Sequence, residues 1–560
     1  MLYRRPAFAS SPLTALVLTL ARASGVGAQA PVKASADLAG AANALIDATF
    51  KPGAPGGTVV VVKDGKAVYR AARGLANLEQ NIPLRPESAL RIGSVTKQFT
   101  SAAIMMLVEQ GKVGLQDDIT RFFPDYPTHG KHITIEHLLT HTSGIKSYTS
   151  LPKWRPLWSK DFTTTEMVDF FKNEPMDFDP GEKYLYNNSA YFLLGALIEK
   201  VSGQPYGEFV RKTIFAPIGM TATRYGDVGP EVKDRALGYA QDGGKFVNAP
   251  LLSMTQPGAA GALVSTVDDL ARWDAAVCAG KLLKAESWAR IFTPFKLNSG
   301  KSTGYGYGWQ IGTFDGRRVV EHGGGIHGFS AYVVRLPEHH VYAAVLSNSS
   351  TTNAGALARK LAALAAGRPL VDPPATTMTA EELSAYAGVY QQDDAKVTIT
   401  AADGLSLRAP GGASSTLVPM ARDKFFVRDS FSRFTFKRDE NGKVVGFTRT
   451  TFNGEDTGLL TNDPLPKTRR EIKLEPKVFD AYVGEYQLAP TFSITVRRDG
   501  DRFLTQATGQ QEIEIFAESE TEFFLKVVDA QLTFVKDAAG KVTGVVLHQG
   551  GRDVKGLKVK

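Results

Sequence analysis

The segment Gly93-Ser94-Val95-Thr96-Lys97, followed by an apolar stretch from Phe99 to Val108, decides the fold of this 560-residue chain. Apolar residues recur at positions 99, 103, 104, 107 and 108, and Gly111 ends the pattern. That spacing predicts a buried helix beginning near Ser94. Positions i and i+3 share a helix face, so Ser94 and Lys97 lie together at its start. A serine beside a lysine that can accept its proton is a nucleophile for acyl transfer.

The Ser-x-x-Lys pattern occurs twice more, as Ser143/Lys146 and Ser150/Lys153. A glycine follows the first of these serines at once, and two prolines interrupt the second segment. Neither pattern leads into a helical apolar run, and proline discourages a sustained helix. We therefore interpret both as surface serines and lysines, and only Ser94/Lys97 as a candidate site.

The first thirty residues have the pattern of a secretory signal. Arg4 and Arg5 precede the apolar run 12–21, and Ala28-Gln29-Ala30 offers small residues for cleavage. This predicts removal of residues 1–30 and an exported, periplasmic or secreted protein. The apolar run is too short for a stable membrane anchor.

Charge and composition restrict the partners. The formal net charge is +8, and removing the three arginines of residues 1–30 leaves +5, with no Lys/Arg run that stands out. Nucleic acid is therefore not expected as a partner. The hydrophobic fraction of 43% is ordinary for a globular protein, and the length favours several domains. The oligomeric state cannot be read from the sequence.

Residues 31–368 read as an α+β domain, with strands at both ends and helices between them. Asp64-Gly65 joins two short β-segments and predicts a hairpin. The expected elements are a helix at 36–50, strands at 58–62 and 66–70, a helix at 189–201, strands at 330–336 and 341–347, and a helix at 353–366. The first and last strands are expected to close one antiparallel sheet flanked by helices.

The rest of the chain repeats itself. Residues 385–390 (AYAGVY) return as 481–486 (AYVGEY), and further matches follow at an offset of 98. Two copies of one module are predicted, each a small antiparallel β-barrel. The predicted boundaries are a linker at 369–379, module 1 at 380–462, a linker at 463–476 and module 2 at 477–560.

Two further clusters in the first domain suit the chemistry of Ser94. Tyr186 and Asn188 precede the 189–201 helix, and a tyrosine near cations can have a lowered pKa and relay a proton to the leaving group. The asparagine amide can orient Lys97 and hold a substrate amide. The run His322-Gly323-Gly324-Gly325 precedes the late strands. Its glycines let a backbone N–H approach the reacting carbonyl and complete an oxyanion hole with the Ser94 N–H.

Together these motifs resemble the serine β-lactamase and penicillin-binding-like hydrolases, in the branch of the class C enzymes, esterases and D-aminopeptidases. The resemblance covers most of 40–365. It rests on four runs: 91–97 (RIGSVTK), 137–144 (HLLTHTSG), 186–189 (YNNS) leading into 193–195 (LLG), and 322–324 (HGG) followed by 328–330 (GFS). A β-lactamase-like fold is implied.

The resemblance also implies roles for the site residues. Ser94 would be the acylated nucleophile, and Lys97 and Tyr186 would share the base and acid roles, with the first base undecided. Asn188 would be the orienting amide. His322 stands where lactamases carry the lysine of Lys-Thr-Gly, and the glycines after it, Gly324 and Gly325, complete the substrate-binding set. Gly325 would supply the second oxyanion N–H.

The histidine at 322 changes the expected substrate. Lysine offers a permanent charge for a substrate carboxylate, whereas histidine is mostly neutral near pH 7. The histidine and the two C-terminal barrels resemble the D-aminopeptidase type, in which the extra domains are lipocalin-like. We expect cleavage of small peptides or amides, with D-residues among the candidates. Glu321 beside it could hold a substrate ammonium, although a surface carboxylate is the favoured interpretation.

Other functions stay open. A carboxylesterase or a weak β-lactamase would use the same fold, and a catalytically silent penicillin-binding sensor or binding module is the alternative of another class. His137 and His141 stand one helical turn apart, but no His-Glu-x-x-His and no acidic ligand accompany them. No metal and no cofactor are therefore expected.

Overall fold

The computed structural model describes residues 36–560 except 227–235, 315, 393–394, 403, 410–413, 453, 466–468, 470, 491, 509–511, 527–529 and 550–551. The predicted signal at 1–30 lies outside the described residues. None of the described helices is long and apolar enough to span a bilayer.

The domain predicted at 31–368, here called the hydrolase-like part, is built on one six-stranded antiparallel sheet between two helical layers. Its strands are β1 (Gly57–Lys63), β2 (Lys66–Arg73), β3 (Gln310–Phe314), β4 (Arg317–Ile326), β5 (Phe329–Leu336) and β6 (Val341–Ser347). The strand order is β3-β4-β5-β6-β1-β2, so the first strand pairs with the last, as predicted. Asp64 and Gly65 both have positive φ, as a two-residue hairpin turn with this twist requires.

Four long helices matter for the site: α1 (Ala36–Thr49), α2 (Thr96–Glu109), α3 (Asn188–Ser202) and α4 (Ala354–Ala365). α1 and α4 pack on one face of the sheet, while α2 and α3 lie in the larger core on the other face. α2 is buried from Thr96 to Leu107, as its apolar pattern predicts. α3 ends at Gly203, whose φ of 69° is the left-handed conformation of a helix C-cap.

Shorter elements complete this part. The remaining helices are Ile135–Leu139, Thr164–Lys172, Tyr206–Val210, Gly258–Gly261, Val267–Cys278 and Ala285–Ile291. The short strands are Leu75–Asn77, Ile82–Pro83, Leu90–Arg91, Arg224–Tyr225, Tyr239–Asp242, Lys245–Asn248 and Leu263–Ser265.

Residues 388–460 form a closed eight-stranded barrel, preceded by the helix Ala380–Ser384. Its strands are Gly388–Gln392, Ala395–Thr400, Leu405–Arg408, Ser414–Ala421, Lys424–Phe426, Arg433–Arg438, Val444–Thr451 and Gly454–Leu460. The barrel is filled by its own aromatic and aliphatic side chains.

A second barrel-like sheet of nine strands follows the helix Pro476–Phe479. Its strands are Gly484–Ala489, Phe492–Asp499, Arg502–Ala507, Ile513–Glu514, Phe516–Ala517, Glu522–Phe524, Ala530–Lys536, Val542–Gln549 and Arg552–Lys558. The copies share a hydrogen bond: Tyr390 Oη donates to Tyr386 O at 2.7 Å, and Tyr486 Oη donates to Tyr482 O at 2.6 Å. The predicted α+β fold with two antiparallel barrels is confirmed.

The glycine run differs from its predicted setting. We placed His322 to Gly325 just before the late strands, but these residues lie inside β4. Glycine is depleted in strands, so a glycine run conceals a strand from sequence reasoning. The pairing of β3 with β4 ends at Gln310 and Glu321, and the described ladder continues from His322 only to β5.

Candidate active site

Ser94 lies in a single 3-10 turn, Gly93–Val95, that leads directly into α2. Gly93 has a φ of 50°, a conformation that glycine adopts at little cost. The first N–H groups of such a turn have no acceptor within the helix, so the Ser94 N–H is available to a bound oxygen. The turn therefore presents both the hydroxyl and a backbone donor.

Lys97 is fully buried beneath Ser94, with 0% of its surface exposed. Its Nζ lies 3.0 Å from Ser94 Oγ, 2.9 Å from Asn188 Oδ1 and 2.9 Å from the carbonyl oxygen of Ala260. Burial lowers the pKa of the ammonium well below its ordinary value, because an apolar surrounding disfavours the charged form.

The partners of Lys97 determine how its hydrogen bonds are arranged when the amine is neutral. Neutral lysine has two N–H bonds and one lone pair. Asn188 Oδ1 and the Ala260 carbonyl can only accept, so they take both N–H bonds. When the amine is neutral, its lone pair is left for Ser94, whose Oγ lies 3.0 Å from Nζ. In this arrangement Lys97 is oriented as a base for Ser94.

Tyr186 is the third member of this hydrogen-bonded group, but its pKa differs from the predicted one. Its hydroxyl hydrogen-bonds the Ser94 side chain, and its ring centroid lies 4.7 Å from Lys97 Nζ. Burial raises the pKa of Tyr186 well above its ordinary value, although the hydrogen bond to Ser94 works in the opposite direction. The expected lowering of this pKa was wrong, because desolvation of the buried tyrosine outweighs the hydrogen bond to Ser94. Tyr186 is thus arranged as a proton donor.

His322 is buried, with 2% exposed, and both its ring nitrogens are engaged. Nδ1 lies 2.6 Å from the carbonyl oxygen of Gly323, which can only accept, so Nδ1 carries the hydrogen. Nε2 therefore accepts from the Tyr305 hydroxyl at 2.8 Å. Burial and the nearby Lys97 lower the pKa of His322 to about 3. Its ring is neutral at physiological pH and has no free polar atom for a substrate.

The glycine run brings β4 against the Ser94 turn. A Cβ on Gly324 would lie 2.0 Å from the Ile92 carbonyl oxygen and 3.1 Å from Ser94 N, so only glycine fits there. A Cβ on Gly93 would lie 3.1 Å from Gly325 N. Gly325 itself faces open space, with no atom within 4 Å of an added Cβ. The Ser94 turn and the unpaired edge of β4 thus form two sides of one opening.

That opening belongs to a cleft of about 620 Å³. Its described lining consists of Ser94, Tyr186, Gln310, His322 to Gly325, Ser330 to Tyr332, Thr352 to Gly355, and Arg359. Arg359 is the only charged side chain in this described lining, and both Glu321 oxygens pair with it, at 2.5 Å and 3.0 Å. The ammonium-binding role for Glu321, and its interpretation as a surface carboxylate, were both wrong: it is fully buried on the other face of the sheet.

The histidines suggested as metal ligands have other partners. His137 Nδ1 accepts from the Thr134 N–H in a helix-capping box, and His141 Nδ1 accepts from the Asn187 N–H. Within the described part of the chain, no group of three or more His, Cys, Asp or Glu side chains is arranged to hold a metal.

Sequence reasoning missed Tyr305, Ala260 and Arg359. Tyr305 lies in the irregular segment before β3, Ala260 acts through its carbonyl, and Arg359 lies on α4. None belongs to a spaced motif, so their roles depend on tertiary contacts alone. The structure does bring Ser94, Lys97, Tyr186 and Asn188 together, and it places His322, Gly324 and Gly325 beside them.

Comparison with known proteins identifies the family. The family described as Beta-lactamase matches residues 41–368, and one described as a domain of unknown function matches 468–558. Penicillin-binding protein 4* of Bacillus subtilis is 31% identical over 523 residues, which cover 90% of this chain and 95% of that protein. The chain therefore belongs to the β-lactamase family, and it is a serine hydrolase.

Several relatives sharpen this assignment. The D-aminopeptidase of Gluconobacter oxydans is 27% identical over 75% of this chain and 76% of its own length. The octameric penicillin-binding protein homologue of Pyrococcus abyssi aligns with a TM-score of 0.55 at 29% identity, over 72% of this chain and 96% of its own. The D-amino acid amidase of Ochrobactrum anthropi aligns with a TM-score of 0.50 at 27% identity, over 56% and 92%.

Proposed function

We propose that this protein is an exported serine hydrolase that cleaves small amides or peptides, D-residue amides among them, through an acyl-enzyme on Ser94. The observation that carries the proposal is the placement of Lys97 Nζ, 3.0 Å from Ser94 Oγ, with its two N–H bonds taken by fixed acceptors. The similarity to a D-aminopeptidase and a D-amino acid amidase supports the substrate class.

In the proposed reaction, protons move among the side chains of Ser94, Lys97 and Tyr186. Ser94 Oγ attacks the carbonyl carbon while its proton passes to Lys97, and the Ser94 and Gly325 N–H groups stabilise the oxyanion. When the C–N bond breaks, the Tyr186 hydroxyl gives its proton to the leaving nitrogen. The lowered pKa of Lys97 and the raised pKa of Tyr186 make return of the proton from ammonium to phenolate favourable. Water then hydrolyses the acyl-enzyme by the same route.

Electrostatics favour neutral substrates. His322 is neutral, so the site lacks the cation that would bind the carboxylate of a β-lactam at this position. The described lining of the cleft also holds no carboxylate for a free substrate ammonium. Among candidate substrates, this supports amides and esters with blocked or distant charges over β-lactams and free amines. A carboxylesterase is the second candidate, because esters need no amide-specific contact.

The nucleophile is tested with a fluorescent phosphonate on wild type and Ser94→Ala. We expect labelling of wild type only; equal labelling of both proteins, or of neither, would refute the role of Ser94. Ser143→Ala alters another Ser-x-x-Lys pattern and should label like wild type. Ser143 is only 1% exposed, so its interpretation as a surface serine was wrong.

The substrate class is tested with a panel of D- and L-aminoacyl p-nitroanilides, free and N-acetylated, together with p-nitrophenyl butyrate and nitrocefin. We expect the acylated D-anilides to be cleaved fastest. Fast turnover of nitrocefin would overturn the proposal, and turnover of the butyrate ester alone would replace it with the esterase. Export is tested separately by sequencing the N-terminus of the protein recovered from the periplasm or medium, which should begin near residue 31.

A further inference from the structure

His141 is a buried residue in a left-handed backbone conformation. It is 0% exposed and has a φ of 59°, a region that Asn, Asp and His adopt more often than other non-glycine residues. Glycine or asparagine would fit this backbone at no greater cost. The imidazole ring, rather than the turn, is therefore what this position contributes.

One edge of the ring is hydrogen-bonded to the residue at the start of α3. His141 Nδ1 accepts from the Asn187 N–H at 3.0 Å. Asn187 is the N-cap of α3, its Oδ1 accepting from the Ala190 N–H at 2.9 Å. Asn188, the partner of Lys97, is the next residue. The imidazole therefore helps to fix the segment that carries both Tyr186 and Asn188.

The ring also packs against the proton-donating tyrosine. Ring centroids lie 4.3 Å apart between His141 and Tyr186, and 4.7 Å apart between His141 and Tyr305. Because Nδ1 accepts a hydrogen bond, the neutral ring carries its hydrogen on Nε2. That buried Nε2 has no hydrogen-bond partner among the described residues. A polar atom held in this way does not stabilise the fold by hydrogen bonding.

We propose that His141 is a positioning residue, whose neutral ring holds Tyr186 over Lys97 and excludes water from Lys97. The inference rests on the proposed acyl-enzyme function. Burial holds the pKa of His141 well below its ordinary value, which is consistent with a neutral ring. The titratable groups that surround it are Lys97 from α2, Tyr184 and Tyr186 from the segment before α3, Tyr191 from α3, Tyr305 from the segment before β3, and His322 from β4.

The test compares His141→Asn with His129→Asn. Asparagine tolerates the left-handed backbone and keeps a hydrogen-bond acceptor, so it removes the ring with little strain. His129 has a φ of 52° but is exposed and outside the site, which makes it a matched control. The readout is the second-order rate constant for phosphonate labelling of Ser94, measured from pH 5 to pH 10 and normalised to the fraction of labelled protein.

We expect His141→Asn to react about tenfold or more slowly, because a misplaced reacting group costs up to about 100-fold per ångström. Without the ring, water reaches Lys97 and its pKa rises, so the acidic limb of the pH profile moves to higher pH. His129→Asn should match wild type. A His141→Asn profile that coincides with wild type in both rate and midpoint would overturn the proposal, because a purely structural residue changes only the amount of active protein.

A double variant keeps the test decisive if His141→Asn is poorly folded. In Tyr186→Phe the phenol hydroxyl is gone, so adding His141→Asn or His141→Gln should slow labelling by less than it does in wild type. Equal slowing in both backgrounds would refute action through Tyr186. If Ser94→Ala abolishes labelling, Ser94 is the nucleophile whatever the result for the His141 variants. The two proposals can therefore be refuted independently of each other.

Discussion

The burial of Lys97 makes a quantitative prediction about stability. In the unfolded chain this amine titrates near its ordinary pKa of 10.5, whereas in the folded protein its pKa lies well below that. Between these two values the unfolded chain binds one more proton than the folded protein. Stability therefore rises with pH in that window, by about 1.4 kcal/mol per unit for one group. Below the folded pKa both states are protonated, and the full cost of burying the charge is present.

Lys97→Met isolates this contribution. The variant keeps a long apolar side chain and removes the titrating group, while the loss of partners for Asn188 Oδ1 and the Ala260 carbonyl adds a pH-independent cost. The free energy of unfolding of wild type minus that of Lys97→Met should rise by about 2 kcal/mol from pH 8 to pH 9.5, from 1.5 units at 1.4 kcal/mol each. The histidines are common to wild type and Lys97→Met, so their contributions cancel in the difference.

Urea denaturation followed by tryptophan fluorescence measures this difference. All five tryptophans lie between residues 154 and 309, so their emission reports the hydrolase-like part without interference from the barrels. Lys146→Met is the matched control, because its lysine belongs to another Ser-x-x-Lys pattern and pairs with Asp177 at 2.5 Å near the surface. A wild-type minus Lys97→Met difference that stays flat from pH 8 to pH 9.5 would mean that Lys97 remains an ammonium when folded. That result would refute its role as the base.

Two other changes have definite expected results. Gly324→Ala would place a methyl group 2.0 Å from the Ile92 carbonyl oxygen, so β4 must move away from the Ser94 turn. Phosphonate labelling should fall by about 100-fold for an ångström of displacement, and labelling within threefold of wild type would contradict this. Tyr305→Phe leaves the buried His322 Nε2 without its donor and should lower stability by about 1–3 kcal/mol while raising the pKa of His322 from about 3. Nitrogen-15 NMR of the histidines measures this pKa; an unchanged titration would show that Tyr305 does not hold the neutral ring.

Spacing alone predicted the parts of the site that lie on one helix or one short segment. The i, i+3 relation placed Lys97 under Ser94, and the Tyr186/Asn188 pair follows from its position at the start of α3. The strand alternation that puts neighbouring residues on opposite faces also separates Glu321 from His322, and applying it to β4 would have predicted a buried Glu321. The glycine run obscures the strand pattern of β4, so the local sequence does not indicate this alternation.

Burial was the property that local sequence could not give. Burial raises the pKa of Tyr186 and lowers that of Lys97, and both effects depend on how completely the surrounding elements enclose the two groups. The same holds for Tyr305, whose hydroxyl reaches His322 from a segment that no motif marks. Lys97 and Ala260 are 163 positions apart, and Tyr305 reaches His322 from outside the strand that carries the histidine, so these contacts depend on how the chain is packed.

Burial disfavours the charged forms of the three groups Lys97, Tyr186 and His322 alike. A lysine at position 322 would put a permanent cation near Lys97 and lower the Lys97 pKa further, whereas the neutral histidine leaves desolvation as the dominant cause. It also leaves this part of the cleft without a positive charge that could anchor a substrate carboxylate. A site of this kind lowers the barrier for attack on a neutral acyl group without first having to neutralise a bound ion. The burial that lowers the pKa of Lys97 also keeps His322 neutral, and the proposed preference for amides and esters over β-lactams rests on that neutral histidine.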